Sequence, residues 1–252
     1  MVRLRRKARR RQALQQPFSG EWVAILNKNL PPYAKLSDAF RGELHDNIRI
    51  FLAEKSFEGC GGLVLTDEIR VTIAAQACML LLNRADDCYP KLSSVLVYPS
   101  AYVVGSHGRS GKPEETSVRL GESWGYGTVV LAWDSVKHGG INFKDGRNVT
   151  LHEFAHQLDQ EDGAADGAPI LESRTAYASW AEIFSHEFLQ LQNKKKKRKR
   201  SVFNKYGATN PAEFFAVVTE SFFEKPKQFQ KKHPELFDEL QDYYKVNPID
   251  WV

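Results

Sequence analysis

Two histidines four residues apart with a glutamate beside the first, His152-Glu153-Phe154-Ala155-His156, form the stretch of this sequence best suited to chemistry. On an α-helix, residues four apart differ by only about 40° around the axis, so both imidazoles leave one face and can reach a single metal ion. Glu153 is turned roughly 100° from His152. It therefore stands off the metal but near a water held there, where hydrolysis needs a general base. Leu151, Phe154, Ala155 and Leu158 can bury the helix while the histidine face lines a cleft. The plainer alternative is an amphipathic helix whose histidines are solvated or satisfied in the core.

A catalytic metal of this kind needs a third protein ligand and an open position for water. His186, Glu187, Glu213, Glu220 and His233 are the downstream candidates. Residues 206–223 stand out, because their Phe, Ala and Val content describes a deeply buried helix. Acids on such a helix cost free energy unless paired, hydrogen-bonded or metal-bound. Glu213 and Glu220 lie seven apart and share a face. Asn210-Pro211 ahead of Glu213 also reads as an N-cap and N1, making Glu213 the N3 residue of a capping box. Capping and ligation are equally open for Glu213. Glu220 is a ligand candidate, or a partner that fixes an imidazole tautomer. Asp159, three residues after His156, is a similar supporting candidate or an ordinary turn residue.

The elements that must position these groups follow from periodicity. Residues 1–16 read as a disordered basic arm, and helices are expected near 20–28 and 36–54. Thr66 is a plausible N-cap for a helix to about 83. Short β-branched runs follow at 94–98, 101–104 and 118–120, with a polar glycine-rich loop at 105–117. The best strand is 128–133, followed by a connection at 134–140 and the motif helix at 146–158. The Asp- and Gly-rich stretch 159–169 lacks calcium-loop spacing, so turn chemistry is the default. Helices are expected again at 173–191, 210–223 and 234–246.

Length and composition point to one large domain over 17–252, with 42% hydrophobic residues and a net charge of only +4. The basic residues are clustered: seven fall within 1–11, and 194–200 is an unbroken run, read as a basic loop over 193–201. Such blocks are usually solvated. Without interleaved aromatics they make nucleic acid a disfavoured partner. The basic N-terminus lacks the apolar core of a secretory signal, and no apolar stretch is long enough to span a bilayer. Three cysteines without paired spacing give no disulfide framework, so a cytoplasmic protein is expected.

The residues 152–159, together with Asn210-Pro211-Ala212-Glu213-Phe214-Phe215-Ala216-Val217 and Glu220, resemble the Mlc titration factor A family. Gly121-Glu122-Ser123-Trp124 and the strand at 129–133 extend the resemblance over roughly 20–250. That family comprises zinc-dependent peptidases related to the catalytic domain of anthrax lethal factor. The resemblance implies an α+β, zincin-like fold: mostly helical, with a small mixed sheet whose edge strand precedes the motif helix. It implies Zn2+ held by His152, His156 and Glu213, with Glu153 as general base and Tyr206 as a hydroxyl beside the reacting carbonyl. Val129, Val130 and Leu131 would then bind an extended peptide by main-chain hydrogen bonds. The expected activity is peptide hydrolysis from the amino end. The competing expectation is a binding protein that sequesters a transcriptional repressor.

Overall fold

The computed structural model describes residues 2–84, 87–104, 117–119, 121–124 and 127–251. The first half runs α1 (Val2–Gln15), α2 (Gly20–Asn29), α3 (Asp38–Glu54), β1 (Ser56–Gly59), α4 (Asp67–Met79), β2 (Ser94–Tyr98), β3 (Tyr102–Val104), β4 (Ser117–Arg119), β5 (Gly121–Trp124) and β6 (Thr128–Ala132). The second half is helical: α5 (Trp133–Ile141), α6 (Val149–Asp159), α7 (Arg174–Lys196), α8 (Pro211–Glu224), α9 (Pro226–Lys232) and α10 (Pro234–Tyr244). The fold is thus mostly helical with a small sheet, as an α+β chain should be.

Local chemistry sets the helix starts. Ser19, Ser37, Thr66, Asn148, Ser173 and Asn210 each accept a backbone N–H of the first turn of the helix that follows. The main sheet has the order β1-β2-β6-β5. β1, β2 and β6 are parallel, and β5 is antiparallel to β6 with Ser123 opposite Val129. β3 and β4 form a separate antiparallel pair. The core joins Val95, Val97, Val129 and Leu131 of the sheet to the buried helix α4 and the apolar faces of α6 and α8. Phe154 of α6 packs against Phe51 and Tyr89, with ring centroids 5.6 and 4.9 Å away.

Several expectations change. The strand at 128–133 is not the sheet edge, because β6 is paired on both sides. Among the described residues the edge on this side of the sheet is β5, which lies alongside α6. The connection expected at 134–140 is helix α5, and β1 was hidden behind the glycines that follow it. The loop expected at 105–117 lies outside the described residues except for Ser117, the first residue of β4. The basic loop at 193–201 begins as the last turn of α7, which runs to Lys196 before turning.

The basic arm is the clearest correction. It forms α1 and packs on α3. Arg10 binds Glu54 and reaches Asp87 Oδ1 at 2.7 Å, and Arg6 Nε donates to Glu54 Oε1 at 3.0 Å. Like charges that would repel in isolation are here turned onto acids of the fold. Glu54→Ala is expected to lower stability by about 1–2 kcal/mol and to expose a protease cut before residue 17. An unchanged digestion pattern would show that α1 is held by something else.

Candidate metal centre

Helices α6 and α8 build the site. Asn148 caps α6, its Oδ1 accepting Leu151 N–H at 3.0 Å, and this starts the helix so that His152 and His156 share a face. Asn210 caps α8 in the same way, accepting Glu213 N–H at 2.9 Å. The Glu213 carboxylate does not turn back to complete a capping box. It points across to α6, with Oε2 3.0 Å from His152 Nε2 and 3.6 Å from His156 Nε2. The two readings of Glu213 are therefore compatible: its backbone serves the cap and its side chain serves the site.

His152, His156 and Glu213 offer donor atoms that all lie within 4.8 Å of one another. Among the described residues they are the one group so arranged. Ligands about 2.0–2.2 Å from a tetrahedral zinc stand roughly 3.3–3.5 Å apart, so this donor set and its spacing fit such an ion. Their side chains are only 12–17% exposed, enough to open on a cleft while limiting competition from water.

Glu220 supports the set from behind. Its Oε1 is 2.8 Å from His152 Nδ1, and its Oε2 accepts Asn148 N–H at 2.6 Å. A hydrogen on Nδ1 leaves the Nε2 lone pair directed at the shared space. His152 then lies between two carboxylates. Burial disfavours its charged form, but hydrogen bonds to Glu213 and Glu220, with the charges of Glu220 and Glu153, hold its pKa well above the ordinary value. Burial also opposes the Glu213 charge, yet the two histidines outweigh it and keep that carboxyl far below the usual range. Both shifts share one cause: His152 Nε2 and the Glu213 carboxylate lie 3.0 Å apart, and each favours the charged form of the other.

Asp159 has a different task. Its oxygens accept Gly167 N–H at 2.9 and 3.1 Å, clasping the loop after the motif helix. Gly167 also accepts Trp180 Nε1–H at 2.9 Å. Its φ of +79°, with the Pro211 carbonyl 2.5 Å from where a Cβ would stand, admits only glycine. One residue thereby ties the end of α6 to α7 and to the start of α8. Asp162 and Asp166 accept the N–H two residues on, the turn chemistry expected of this loop.

Tyr206 sits on a 3-10 turn, Lys205–Ala208, packed on α8. Its hydroxyl donates to Glu213 Oε1 at 3.3 Å, and its ring lies 6.1 Å from that of His152. Glu153 is buried at 6% exposure. His233 pairs with Glu187 at 2.8 Å on another part of the molecule, and neither belongs to the site. Val129, Val130 and Leu131 do not reach a substrate by main-chain pairing: both neighbours of β6 are strands, and all three side chains are buried.

Sequence reasoning missed Glu224. Its Oε2 accepts Gly146 N–H at 2.7 Å and Arg147 N–H at 3.1 Å, so Glu220 and Glu224, one turn apart on α8, together hold the three residues that lead into α6. Their spacing of four on a buried helix was a usable signal.

A model of the glucose-regulated metallo-peptidase M90 family matches residues 4–245. The chain belongs to this family. An uncharacterized protein of Synechocystis sp. is 45% identical over 245 residues, covering 96% of this chain and 89% of the relative. Mlc titration factor A of Serratia proteamaculans is 30% identical, covering 79% and 77%. Its namesake in Klebsiella pneumoniae is 29% identical, covering 87% and 84%. These relatives support the Mlc titration factor A resemblance, and M90 membership makes the chain a metallopeptidase. Among the described residues no helix is long and apolar enough to cross a membrane.

Burial, with the nearby Glu220 charge, pushes the Glu224 carboxyl up to about 8 against the backbone donors that lower it. A carboxyl raised in the folded state binds a proton that the unfolded state has released. Its contribution is thus full below about pH 4.5 and lost as the pH rises to about 8. Glu224→Gln should flatten the fall in denaturant stability between pH 5 and 8 by about 1 kcal/mol or more. Parallel wild-type and variant profiles would show that Glu224 is ionised in the folded protein.

Proposed function

We propose that the chain is a zinc-dependent peptidase whose ion is held by His152, His156 and Glu213. The observation that carries this reading is the convergence of their donor atoms, with His152 Nδ1 already engaged by Glu220. Two imidazoles and one carboxylate suit zinc, and M90 membership calls for a metal. Zinc in such a site lowers the pKa of water toward neutrality and polarises a scissile carbonyl.

The chain's own residues supply the rest. Glu153, beside His152 on the same helix, takes the proton of the attacking water and later delivers it to the departing amine. The Tyr206 hydroxyl, 3.3 Å from Glu213, is near enough to turn to the carbonyl oxygen as negative charge develops there. Glu220 keeps His152 in one tautomer throughout. The outer edge of β5, beside α6, is the strand to which an extended peptide would add. Action from the amino end is the mode implied by the resemblance. Three free cysteines agree with a cytoplasmic setting.

A second reading is favoured by the relatives named Mlc titration factor A: capture of a transcriptional repressor, with peptidase activity secondary. Substitution of Glu153 separates the two. Glu153→Gln is expected to keep the metal and lower kcat on a fluorogenic peptide by at least about a hundredfold. Tyr206→Phe should lower kcat by about tenfold or more with KM little changed. Turnover retained in Glu153→Gln would contradict this mechanism. Repressor capture retained without turnover would favour the second reading.

A further inference from the structure

The chain has two basic segments, and the fold treats them differently. In α1, Arg6 and Arg10 are turned onto Glu54 and Asp87, so their charge is matched internally. Residues 194–200, seven cations in succession, make no side-chain hydrogen bond or ion pair among the described residues. Lys194 is half-buried and 195–200 are exposed.

This second segment is nevertheless folded into a definite shape. α7 continues to Lys196, and the amides of Lys197, Arg198 and Lys199 close onto the carbonyls of Asn193, Lys195 and Lys194 at 3.0, 3.1 and 2.9 Å. Arg198 adopts φ +51°, a left-handed conformation that ends the helix. The helix macrodipole favours cations in the last turn only, and does nothing for those beyond it. A compact cap of like charges, with a non-glycine residue at positive φ, is a costly arrangement for a stretch with no role. An external anion would offset that cost.

Its location points to the anion. Gln192, one turn before Lys196, contacts the Ala208 carbonyl at 3.5 Å through Nε2. Ala208 ends the turn that presents Tyr206 to Glu213. Gln192 and Lys196 lie about 6 Å apart along the helix, and the six residues from Arg200 to Tyr206 span at most about 20 Å. The run of cations therefore begins about one helical turn from the Tyr206 turn and ends no more than about 20 Å from Tyr206 itself, a span that about six residues of extended chain cover.

We propose that residues 194–200 form a subsite for an acidic segment of a polypeptide substrate, flanking the bond held at His152, His156 and Glu213. This proposal rests on the peptidase reading. Lysine-rich point charges suit flexible carboxylates, whereas single-stranded nucleic acid calls for aromatic platforms among the cations, and none occurs within 194–200.

The test uses the full-length, zinc-loaded protein and two fluorogenic peptides with the same central sequence. One carries glutamates four to six residues from the cleaved bond on either flank, and the other carries serines there. Wild type should favour the acidic peptide by about tenfold in kcat/KM at low salt, mainly through KM, as several exposed ion pairs acting together allow. The preference should vanish in about 0.5 M salt, and also when Lys196, Lys197, Lys199 and Arg200 are changed to Gln. The salt arm needs no variant to fold. Equal kcat/KM on both peptides, or a preference that survives salt and the substitutions, would overturn the subsite. If neither peptide is cleaved, the peptidase reading fails. Fluorescence anisotropy with the labelled acidic peptide then decides the subsite alone: binding weakened by the substitutions supports it, and unchanged or absent binding overturns it. Tighter binding of a single-stranded oligonucleotide of equal charge would assign the patch to nucleic acid and also overturn it.

Discussion

The carboxylate of Glu220 is the constraint on which the site depends. It sits in a helix buried on almost every side, where an unpartnered charge would cost several kcal/mol. Two contacts offset that cost: the Asn148 amide at 2.6 Å and His152 Nδ1 at 2.8 Å. The first ties α8 to the N-cap of α6, and the second fixes the tautomer of a ligand candidate. One buried charge thus sets both where the motif helix starts and which nitrogen its first histidine offers. Charge-assisted bonds of this kind contribute about 1.5–3 kcal/mol each. They stabilise the helix pair only in the register that also brings Glu213 across to the histidines.

The loop knot at Gly167 completes the frame from the other end. Asp159 at the end of α6, Trp180 of α7 and Pro211 at the start of α8 all meet there. With Glu220 and Glu224 gripping the entrance of α6, the motif helix is held at both termini by groups related to α8. Tyr206, by contrast, is 53% exposed on a short turn. That contrast suits a site in which ligands must be rigid and a hydroxyl must adjust to a reacting carbonyl.

Much of this was legible in the residues, and the parts that were not have physical reasons. The motif pair follows from helical periodicity alone. Glu213 and Glu220 announced themselves as acids on an apolar helix, and Thr66 and Asn210 marked their helix starts by side-chain capping. The edge position of 128–133 came with the resemblance, whereas its apolar run reports burial on both faces, which belongs to an inner strand such as β6. β5 is four residues long and carries no such signal. α1 was misread as disordered because charge runs repel in isolation, and its partners Glu54 and Asp87 lie 44 and 77 residues from Arg10. No local pattern encodes a match at that separation. Glu224 carried the same signal as Glu220, an acid one turn further along an apolar helix, but its partners are the backbone amides of Gly146 and Arg147, which no side-chain pattern names.

The central claim is that His152, His156 and Glu213 share one zinc ion, with Glu220 acting through His152. Zinc stoichiometry and affinity, measured by chelator competition for wild type, Glu213→Ala and Glu220→Ala, test it most directly. The account predicts about one zinc per wild-type chain, loss of binding in Glu213→Ala, and affinity weakened about 10–100-fold in Glu220→Ala. Zinc retained at full affinity in Glu213→Ala, or absent from reconstituted wild type, would contradict it.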